Sequence, residues 1–162
     1  MPQLAAQNFV RSAPPECRCQ FEMPGIPKAK TQQIQTEIGP VDYHSYISDG
    51  GASQQHYTFV VNFADYPEGA LSLDSADFVK EFFESSIEQA TAQLAGTMIY
   101  KTDVTLGEIP GMLYRIDYGN SMTVKSKVLL HGKRFYLLQA FYQRDKERGF
   151  EADKFLNSFR VE

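Results

Sequence analysis

Four runs of alternating residues in the second half of the chain constrain its fold more than any other feature. The runs cover residues 97–106, 112–118, 122–131 and 134–142. Alternation of this kind indicates β-strands. The segments between the runs, at 107–111, 119–120 and 132–133, are short and contain glycine. Because short loops join antiparallel neighbours, the second half is predicted to be an antiparallel meander.

The last two runs are apolar on both faces if Gly132-Lys133 is a two-residue turn. One face then carries Val124, Val128, Leu130, Phe135, Leu137 and Phe141. The other face carries Leu129, Tyr136, Leu138 and Tyr142 together with Lys125 and Lys127. A sheet that is apolar on both faces must be covered on both. Helices are therefore expected on opposite sides of the sheet, or sharing one side with the N-terminal segment.

Two helices are predicted to supply this cover. Between residues 72 and 95 the spacing of apolar residues becomes helical, with Asp74 or Ser75 as the N-cap and Gly96 as the stop. The repeating positions are Phe78, Val79, Phe82, Phe83, Ile87, Ala90 and Leu94. A second helix is predicted over residues 147–158, with Phe155, Leu156 and Phe159 as its docking residues.

The first half of the chain is predicted to add shorter strands. These are residues 21–23, a hairpin of 30–38 and 41–48 joined at Gly39-Pro40, and 56–63. In the last of them Tyr57, Phe59, Val61 and Phe63 share a face. The sequence thus predicts one α+β domain over residues 19–162, after an extended lead-in at residues 1–18. Its core is an antiparallel sheet of six to eight strands with helices packed on its faces.

Composition and charge exclude some functional classes. The net charge is −4, because residues 1–100 carry five Lys/Arg against twelve Asp/Glu and residues 101–162 carry eleven against eight. This balance lacks the positive field that nucleic-acid binding needs. No run of about eighteen apolar residues occurs, so no membrane-spanning helix is predicted.

The N-terminal residues bear on the expected location of the protein. They lack the charged and apolar regions of a secretory signal, whereas Leu4-Ala5-Ala6 is similar to the remnant of a small-residue cleavage site. We expect a periplasmic or otherwise exported protein whose signal is absent from this chain. A cytoplasmic location is the alternative.

The two cysteines, Cys17 and Cys19, are one residue apart. In an extended strand their Cα atoms would lie roughly 6.5 Å apart, near the upper limit for a disulfide. This geometry favours two free thiols, with a strained or redox-active pair as the alternative. No metal site is expected, because His44, His56 and His131 are isolated from one another and no second Cys/His pair stands at ligand spacing.

No catalytic motif is present in the sequence. It contains neither a Gly-x-Ser-x-Gly elbow nor a phosphate-binding or dinucleotide-binding glycine motif, and no cofactor is predicted. The nearest approach to an acid/base set is Asp42, His44 and Tyr46. Side chains on one strand face point in parallel and seldom converge on one substrate atom. The sequence therefore favours a polar side of an edge strand over a catalytic site.

Basic residues cluster around the last predicted hairpin. They are Lys125, Lys127, Lys133, Arg134, Arg144, Lys146 and Arg148. Such a patch attracts acidic proteins or anionic ligands, although lysines along a strand also guard an edge against aggregation. From this region we select Lys125, Lys127, Arg134 and Tyr142 as candidate binding residues, the tyrosine because interfaces are rich in Tyr.

Several local motifs resemble one group of bacterial domains. They are Phe21-Glu22-Met23-Pro24-Gly25-Ile26-Pro27, Ile38-Gly39-Pro40-Val41, Phe63-Ala64-Asp65-Tyr66-Pro67, Gly107-Glu108-Ile109-Pro110-Gly111, Gly132-Lys133-Arg134-Phe135-Tyr136 and Phe155-Leu156-Asn157-Ser158-Phe159-Arg160. The group resembles the superfamily of the photosystem accessory protein PsbP and the nuclear-transport factor Mog1. The resemblance implies an α/β/α sandwich around an antiparallel sheet, with non-enzymatic binding or accessory roles that are often outside the cytoplasm.

Two functional hypotheses follow. The first is a non-catalytic accessory or protein-binding domain of a bacterium, associated with the envelope. The second is a carrier of a small molecule or lipid, with an apolar pocket between the sheet and the helical face at residues 78–83. An enzyme of unknown type ranks third.

Overall fold

The computed structural model describes residues 9–36, 39–49, 57–144 and 149–162. Within these ranges the strands are β1 (Phe9–Ser12), β2 (Cys19–Pro24), β3 (Lys28–Thr36), β4 (Gly39–Ser48), β5 (Thr58–Asp65), β6 (Thr97–Leu106), β7 (Ile109–Tyr118), β8 (Met122–His131), β9 (Arg134–Gln143) and β10 (Arg160–Val161). The helices are α1 (Ala76–Gln93) and α2 (Gly149–Ser158).

The main sheet contains seven of the described strands in the order β3-β4-β5-β9-β8-β7-β6, and every neighbouring pair is antiparallel. Strands β6 to β9 form the predicted meander, which joins the first half of the chain where β9 pairs with β5. A smaller sheet has the order β1-β2-β10. The predicted α+β class with an antiparallel sheet is confirmed.

Two hydrophobic cores lie on opposite faces of the main sheet. One core contains Val79, Phe83 and Ile87 of α1 together with Val124, Val128, Leu130 and Phe135. The other contains Ala152, Phe155 and Leu156 of α2 together with Leu129, Tyr136, Leu138 and Tyr142. These two sets are the two faces predicted from the alternation in β8 and β9. The helices therefore cover opposite faces, and the sandwich is confirmed.

The turns of the meander follow the sequence with one exception. Gly132-Lys133 is the predicted two-residue turn, since His131 pairs with Arg134. The predicted loop at residues 107–111 is wrong, because Leu106 pairs with Ile109 and only residues 107 and 108 form the turn. Pro110 therefore lies inside β7. Its nitrogen faces β8, whose pairing with β7 begins one residue later, so the missing N–H leaves no gap in a ladder.

The first hairpin forms, but its turn is displaced from the predicted position. Thr36 pairs with Gly39, and Gln35 pairs with Pro40, so the Gly-Pro pair belongs to β4. Residues 37 and 38, which connect the strands, lie outside the described residues. The strand predicted from residue 56 begins in the structure at Thr58, and His56 is also outside the described part of the chain.

Helix α1 begins close to its predicted start. The Ser75 hydroxyl caps α1 by accepting a hydrogen bond from the backbone N–H of Phe78 at 3.2 Å. After α1, the Gly96 N–H donates to the Thr91 carbonyl at 3.0 Å, as expected for a stop residue. The start predicted for α2, residue 147, lies outside the described residues. Within the described residues α2 runs from Gly149 to Ser158.

The cysteines are bonded to each other, so the expectation of two free thiols is wrong. The expectation assumed an extended chain, but Arg18 between them has a φ of 50°. This left-handed residue turns the backbone and brings the two Cα atoms to 5.1 Å, within the normal range for a disulfide. Both cysteines are fully buried in the α2-side core. The predicted boundary between residues 18 and 19 stays a prediction.

Candidate functional site

A cleft of about 640 Å³ lies between α1 and the β3–β4 hairpin, on the α1 side of the sheet. Its lining residues are Ile34, Gln35, Thr36, Tyr43, Tyr66, Ala70, Leu71, Phe78, Phe82, Ser85, Ser86, Gln89 and Gln93. The volume falls within the range of about 300 to 1,000 Å³ that is common for ligand pockets. This cleft is the candidate functional site.

The base of the cleft is aromatic and rigidly packed. The hydroxyls of Tyr43 and Tyr66 are 3.4 Å apart, in contact as a hydrogen-bonded pair. The Tyr66 ring meets Phe82 edge to face at 5.6 Å, and Phe82 packs in the same way on Phe135 of the core at 5.2 Å. Burial, followed by the hydrogen bond with Tyr66, holds the pKa of Tyr43 well above its usual range. Tyr43 therefore stays neutral at physiological pH.

One stripe of α1 supplies the helical wall. Phe78, Phe82, Gln89 and Gln93 follow one another at intervals of four or seven residues, so they share one side of the helix. This stripe lies beside the fully buried row that includes Val79 and Phe83. Its first half is aromatic and its second half carries amides and hydroxyls.

The lining contains no Asp, Glu, His, Lys, Arg or Cys among the described residues. The Ser86 hydroxyl already donates to the Phe82 carbonyl at 3.0 Å, as serines within helices often do. The Thr36 hydroxyl likewise donates to the Gly39 carbonyl at 2.7 Å. The other polar groups of the lining are hydroxyls and amides, which both donate and accept hydrogen bonds. The cleft can therefore bind an uncharged, partly apolar group, but it supplies no general acid or base near neutral pH.

Lys125 and Lys127, two of the four predicted binding residues, lie against α2. The Lys125 ammonium forms a 3.0 Å ion pair with Asp153 of α2. Burial acts to lower the pKa of Lys125, but the hydrogen bond that it donates to Asp153 and the nearby Tyr142 raise that pKa above its usual value. Lys127 is buried, and its Nζ donates to the Leu156 carbonyl in the last turn of α2 at 3.4 Å. Burial, together with the charge of Arg160, lowers the pKa of Lys127.

Arg134 and Tyr142, the other two, also make internal contacts. Arg134 forms a bidentate ion pair with Asp65 at 2.7 and 2.8 Å, and it donates to the carbonyls of Glu16 and Cys17. Its guanidinium carbon lies 4.4 Å from the centre of the Phe63 ring. Tyr142 is buried in the α2-side core. The structure thus places Lys125 and Tyr142 close to α2 and Arg134 at the far end of β9; a binding role for the four stays a prediction.

Asp42, His44 and Tyr46 do not converge. Their strand, β4, pairs with β3 on one side and β5 on the other. It is therefore not an edge strand, contrary to the prediction. The His44 ring stacks on Phe63 at 4.7 Å, while the Tyr46 hydroxyl is held by Glu16 at 3.2 Å. A shallower depression of about 390 Å³ lies beside Asp42 and His44, and its acid Asp65 already pairs with Arg134.

The described residues contain neither a metal centre nor a membrane-spanning helix. Among them, no group of three or more His, Cys, Asp or Glu side chains is arranged to hold a metal ion. Within the same residues, neither helix is long and apolar enough to cross a membrane.

Comparison with known proteins identifies the fold. No model of a known protein family matches the chain, and no curated protein sequence matches it either. The chain is similar to the solution structure of cyanobacterial PsbP (CyanoP) from Synechocystis sp. PCC 6803, with a TM-score of 0.61 and 12% sequence identity. The match covers 100% of this chain and 97% of that one. The resemblance predicted from the sequence motifs is thereby confirmed, and the chain has a PsbP-like α+β fold.

Proposed function

We propose that this chain is a non-catalytic accessory domain that binds another protein of a bacterial envelope, with the cleft between α1 and the β3–β4 hairpin as its binding site. The observation that carries the proposal is the uncharged lining of the cleft. A catalytic site needs a group that exchanges protons or attacks a substrate near neutral pH. The phenols, amides and hydroxyls of the cleft instead suit recognition.

The chemistry of the lining favours an extended peptide segment of the partner. Gln89 and Gln93 of α1 line the cleft, and amide side chains match the alternating donors and acceptors of a peptide backbone. The aromatic base, with Phe78 and Phe82, suits one or two apolar side chains of the same segment. The resemblance to the PsbP superfamily supports the same kind of role.

A photo-crosslinking amino acid placed at Gln89 tests the proposal in cells of the native host. We expect an adduct of protein mass from position 89 and none from position 88, because Glu88 is exposed on the same helix but does not line the cleft. The variant Ser85→Trp, which fills the cleft from its exposed rim, should abolish the adduct. Lack of an adduct at position 89, or equal adducts at both positions, would contradict the proposal.

Carriage of a small uncharged molecule is the second candidate function. It is favoured by the volume of the cleft, about 640 Å³, and by the apolar side chains of Ile34, Leu71, Phe78 and Phe82. Native mass spectrometry of the purified chain separates the two functions. An added small mass that Ser85→Trp removes supports a carrier, whereas a bare chain combined with the protein adduct above supports a partner protein.

An exported location is part of the proposal. The Cys17–Cys19 disulfide supports it, because disulfides persist in oxidising compartments such as the periplasm. Thiol alkylation of the denatured chain, taken directly from native cells, should label neither cysteine before reduction and both cysteines after it. Labelling before reduction would count against an oxidising compartment.

A further inference from the structure

Strand β6 ends the main sheet with an exposed edge that no other strand of the described residues pairs with. It pairs with β7 on one side only, and all of residues 97–103 are exposed. Three of these exposed residues, Met98, Ile99 and Tyr100, are large and apolar. An exposed edge of this length is a template for pairing with another strand.

The hairpin geometry identifies which backbone groups are free. Leu106 and Ile109 close the two-residue turn as a hydrogen-bonded pair, so Val104 and Thr102 also bond to β7. The N–H and C=O groups of Thr105, Asp103 and Lys101 therefore point away from β7. Ile99 is the extra residue of a bulge between Met98 and Tyr100, which limits the regular edge to the segment that follows it.

We propose that two copies of this chain pair through β6 in an antiparallel arrangement whose twofold axis passes beside Thr102. In this register Lys101 lies opposite the partner subunit's Asp103, and Asp103 lies opposite the partner subunit's Lys101. Both positions have outward-pointing backbone groups, so each pair exchanges two backbone hydrogen bonds. Tyr100 then lies opposite the partner subunit's Val104, an aromatic and β-branched pair of the kind that stabilises sheets.

Charge fixes this register against its neighbours. Sliding the partner to the next twofold register on one side sets Lys101 against the partner subunit's Lys101, and on the other side it sets Asp103 against the partner subunit's Asp103. Like charges directly opposite each other destabilise a strand pair. The register with the axis at Thr102 is flanked by two repulsive ones, so the edge is self-complementary in one alignment.

The opposite edge of the sheet lacks this property. The ionisable residues of β3 are two lysines, Lys28 and Lys30, and the strand contains no acid. A second copy would therefore meet only positive charge there, which is the usual protection of an edge. At β6 the Lys101 ammonium also lies 3.4 Å from Glu84 of α1, where it is exposed enough to contact the partner subunit's Asp103 as well.

Sedimentation equilibrium from micromolar to millimolar concentration tests the dimer. Because a single pair of edge strands buries less area than a standard interface, we expect a concentration-dependent equilibrium between monomer and dimer. Asp103→Lys and Lys101→Asp should each be monomeric, since all facing charges become alike. The double variant Lys101→Asp/Asp103→Lys should dimerise again, and so should an equimolar mixture of the two single variants. Glu68→Lys, with the same charge change in an exposed loop, should behave as the parent.

Two further measurements keep the test independent of charge. Asp103→Pro removes only an N–H that points away from β7, so it should fold and remain monomeric. Amide hydrogen exchange at Lys101 and Asp103 should slow as the parent concentration rises, whereas exchange at Thr102 should not change. A parent chain that stays monomeric at millimolar concentration would refute the proposal and leave the edge to a strand of another protein. A dimer that survives both Asp103→Lys and Asp103→Pro would place the interface elsewhere and refute it equally.

Discussion

Replacing Arg134 by methionine should destabilise the fold by about 3 kcal/mol. Two of its hydrogen bonds, to the carbonyls of Glu16 and Cys17 at 2.7 and 2.8 Å, hold the turn that contains the disulfide. Hydrogen bonds from a charged donor contribute about 1.5 kcal/mol each. The ion pair with Asp65 adds at most about 1 kcal/mol, because the Asp65 side chain is 38% exposed and solvent screens it.

Urea unfolding followed by circular dichroism measures this cost. Asp65→Asn removes the ion pair and leaves the two carbonyl contacts of Arg134, so it should cost about 1 kcal/mol or less. The matched control is Lys133→Met. Lys133 is exposed and precedes Arg134 in the turn between β8 and β9, and we expect its replacement to change the stability by no more than about 0.5 kcal/mol. If Arg134→Met costs less than about 1 kcal/mol, or no more than Asp65→Asn, the anchoring of the Cys17 turn by Arg134 is refuted.

The same pair predicts a pH dependence. The hydrogen bond from Arg134 holds the pKa of the Asp65 carboxyl below its usual value. A carboxyl whose folded pKa is depressed stabilises the fold above its unfolded pKa, and this contribution is lost as the pH falls through the folded value. The difference in stability between the parent and Asp65→Asn should therefore be present at neutral pH and shrink as the pH falls below 3.8, the usual pKa of Asp. A difference that is unchanged across that range would show that the carboxylate charge contributes nothing.

Two further substitutions test the packing of β7 and β8. Gly111→Ala should cost about 2 to 3 kcal/mol in urea unfolding, because a Cβ there would meet the Val128 carbonyl and lie 2.7 Å from the Leu129 side chain. A cost below about 0.5 kcal/mol would show that the strands can separate to admit it. Lys127→Met should leave stability unchanged or raise it, since the ammonium is desolvated. The lowered pKa of Lys127 also means that the parent gains stability relative to Lys127→Met as the pH rises toward 10.5, the usual value. A constant difference would contradict that shift.

The arrangement of the sheet and helices could be predicted because it depends on hydrophobic period. Successive side chains of β8 and β9 point to opposite faces of the sheet along the whole of each strand. The residues on each face therefore follow from their order in the sequence alone. Pro110 shows the limit of this reasoning. Proline usually ends a strand, but here the N–H that it lacks has no partner strand to meet. Whether a proline is tolerated depends on the neighbouring strand, and local sequence does not contain that information.

The contacts of the basic residues could not be predicted from β8 and β9 by themselves. Alternation placed Lys125 and Lys127 on the correct face, but it did not show that α2 would cover them. A helix separated by more than twenty residues in sequence supplies Asp153 and the Leu156 carbonyl as their partners. The disulfide was missed for a local reason. The left-handed backbone at Arg18 changed the geometry on which the prediction of free thiols rested.

The cleft could be predicted only in part. The sequence indicated a pocket between the sheet and the face of the long helix at residues 78–83, and Phe78 and Phe82 do line it. It did not indicate Gln89 and Gln93, because amides on an exposed helix face are ordinary. One signal was available. Gln89 and Gln93 lie on the same side of α1 as Phe78 and Phe82, and that side is uncharged while the other side carries charges.

The β3–β4 wall of the cleft and the β6 edge lie at opposite ends of the main sheet, which allows both proposed interactions at once. With strands about 4.8 Å apart, β3 and β6 are separated by roughly 30 Å across seven strands. A dimer formed through β6 would therefore carry two open clefts, one at each end of a continuous sheet. Two linked sites bind a surface that presents many copies of a partner more tightly than one site does.

This arrangement makes a prediction that neither site makes alone. Asp103→Lys should weaken binding of the chain to a densely immobilised partner, because the monomer has one cleft. It should leave binding to the same partner in dilute solution unchanged, since neither Asp103 nor any other residue of β6 lines the cleft. Ser85→Trp should weaken both. Equal losses in the two formats for Asp103→Lys would mean that β6 itself contacts the partner, and the dimer would not be needed to explain binding.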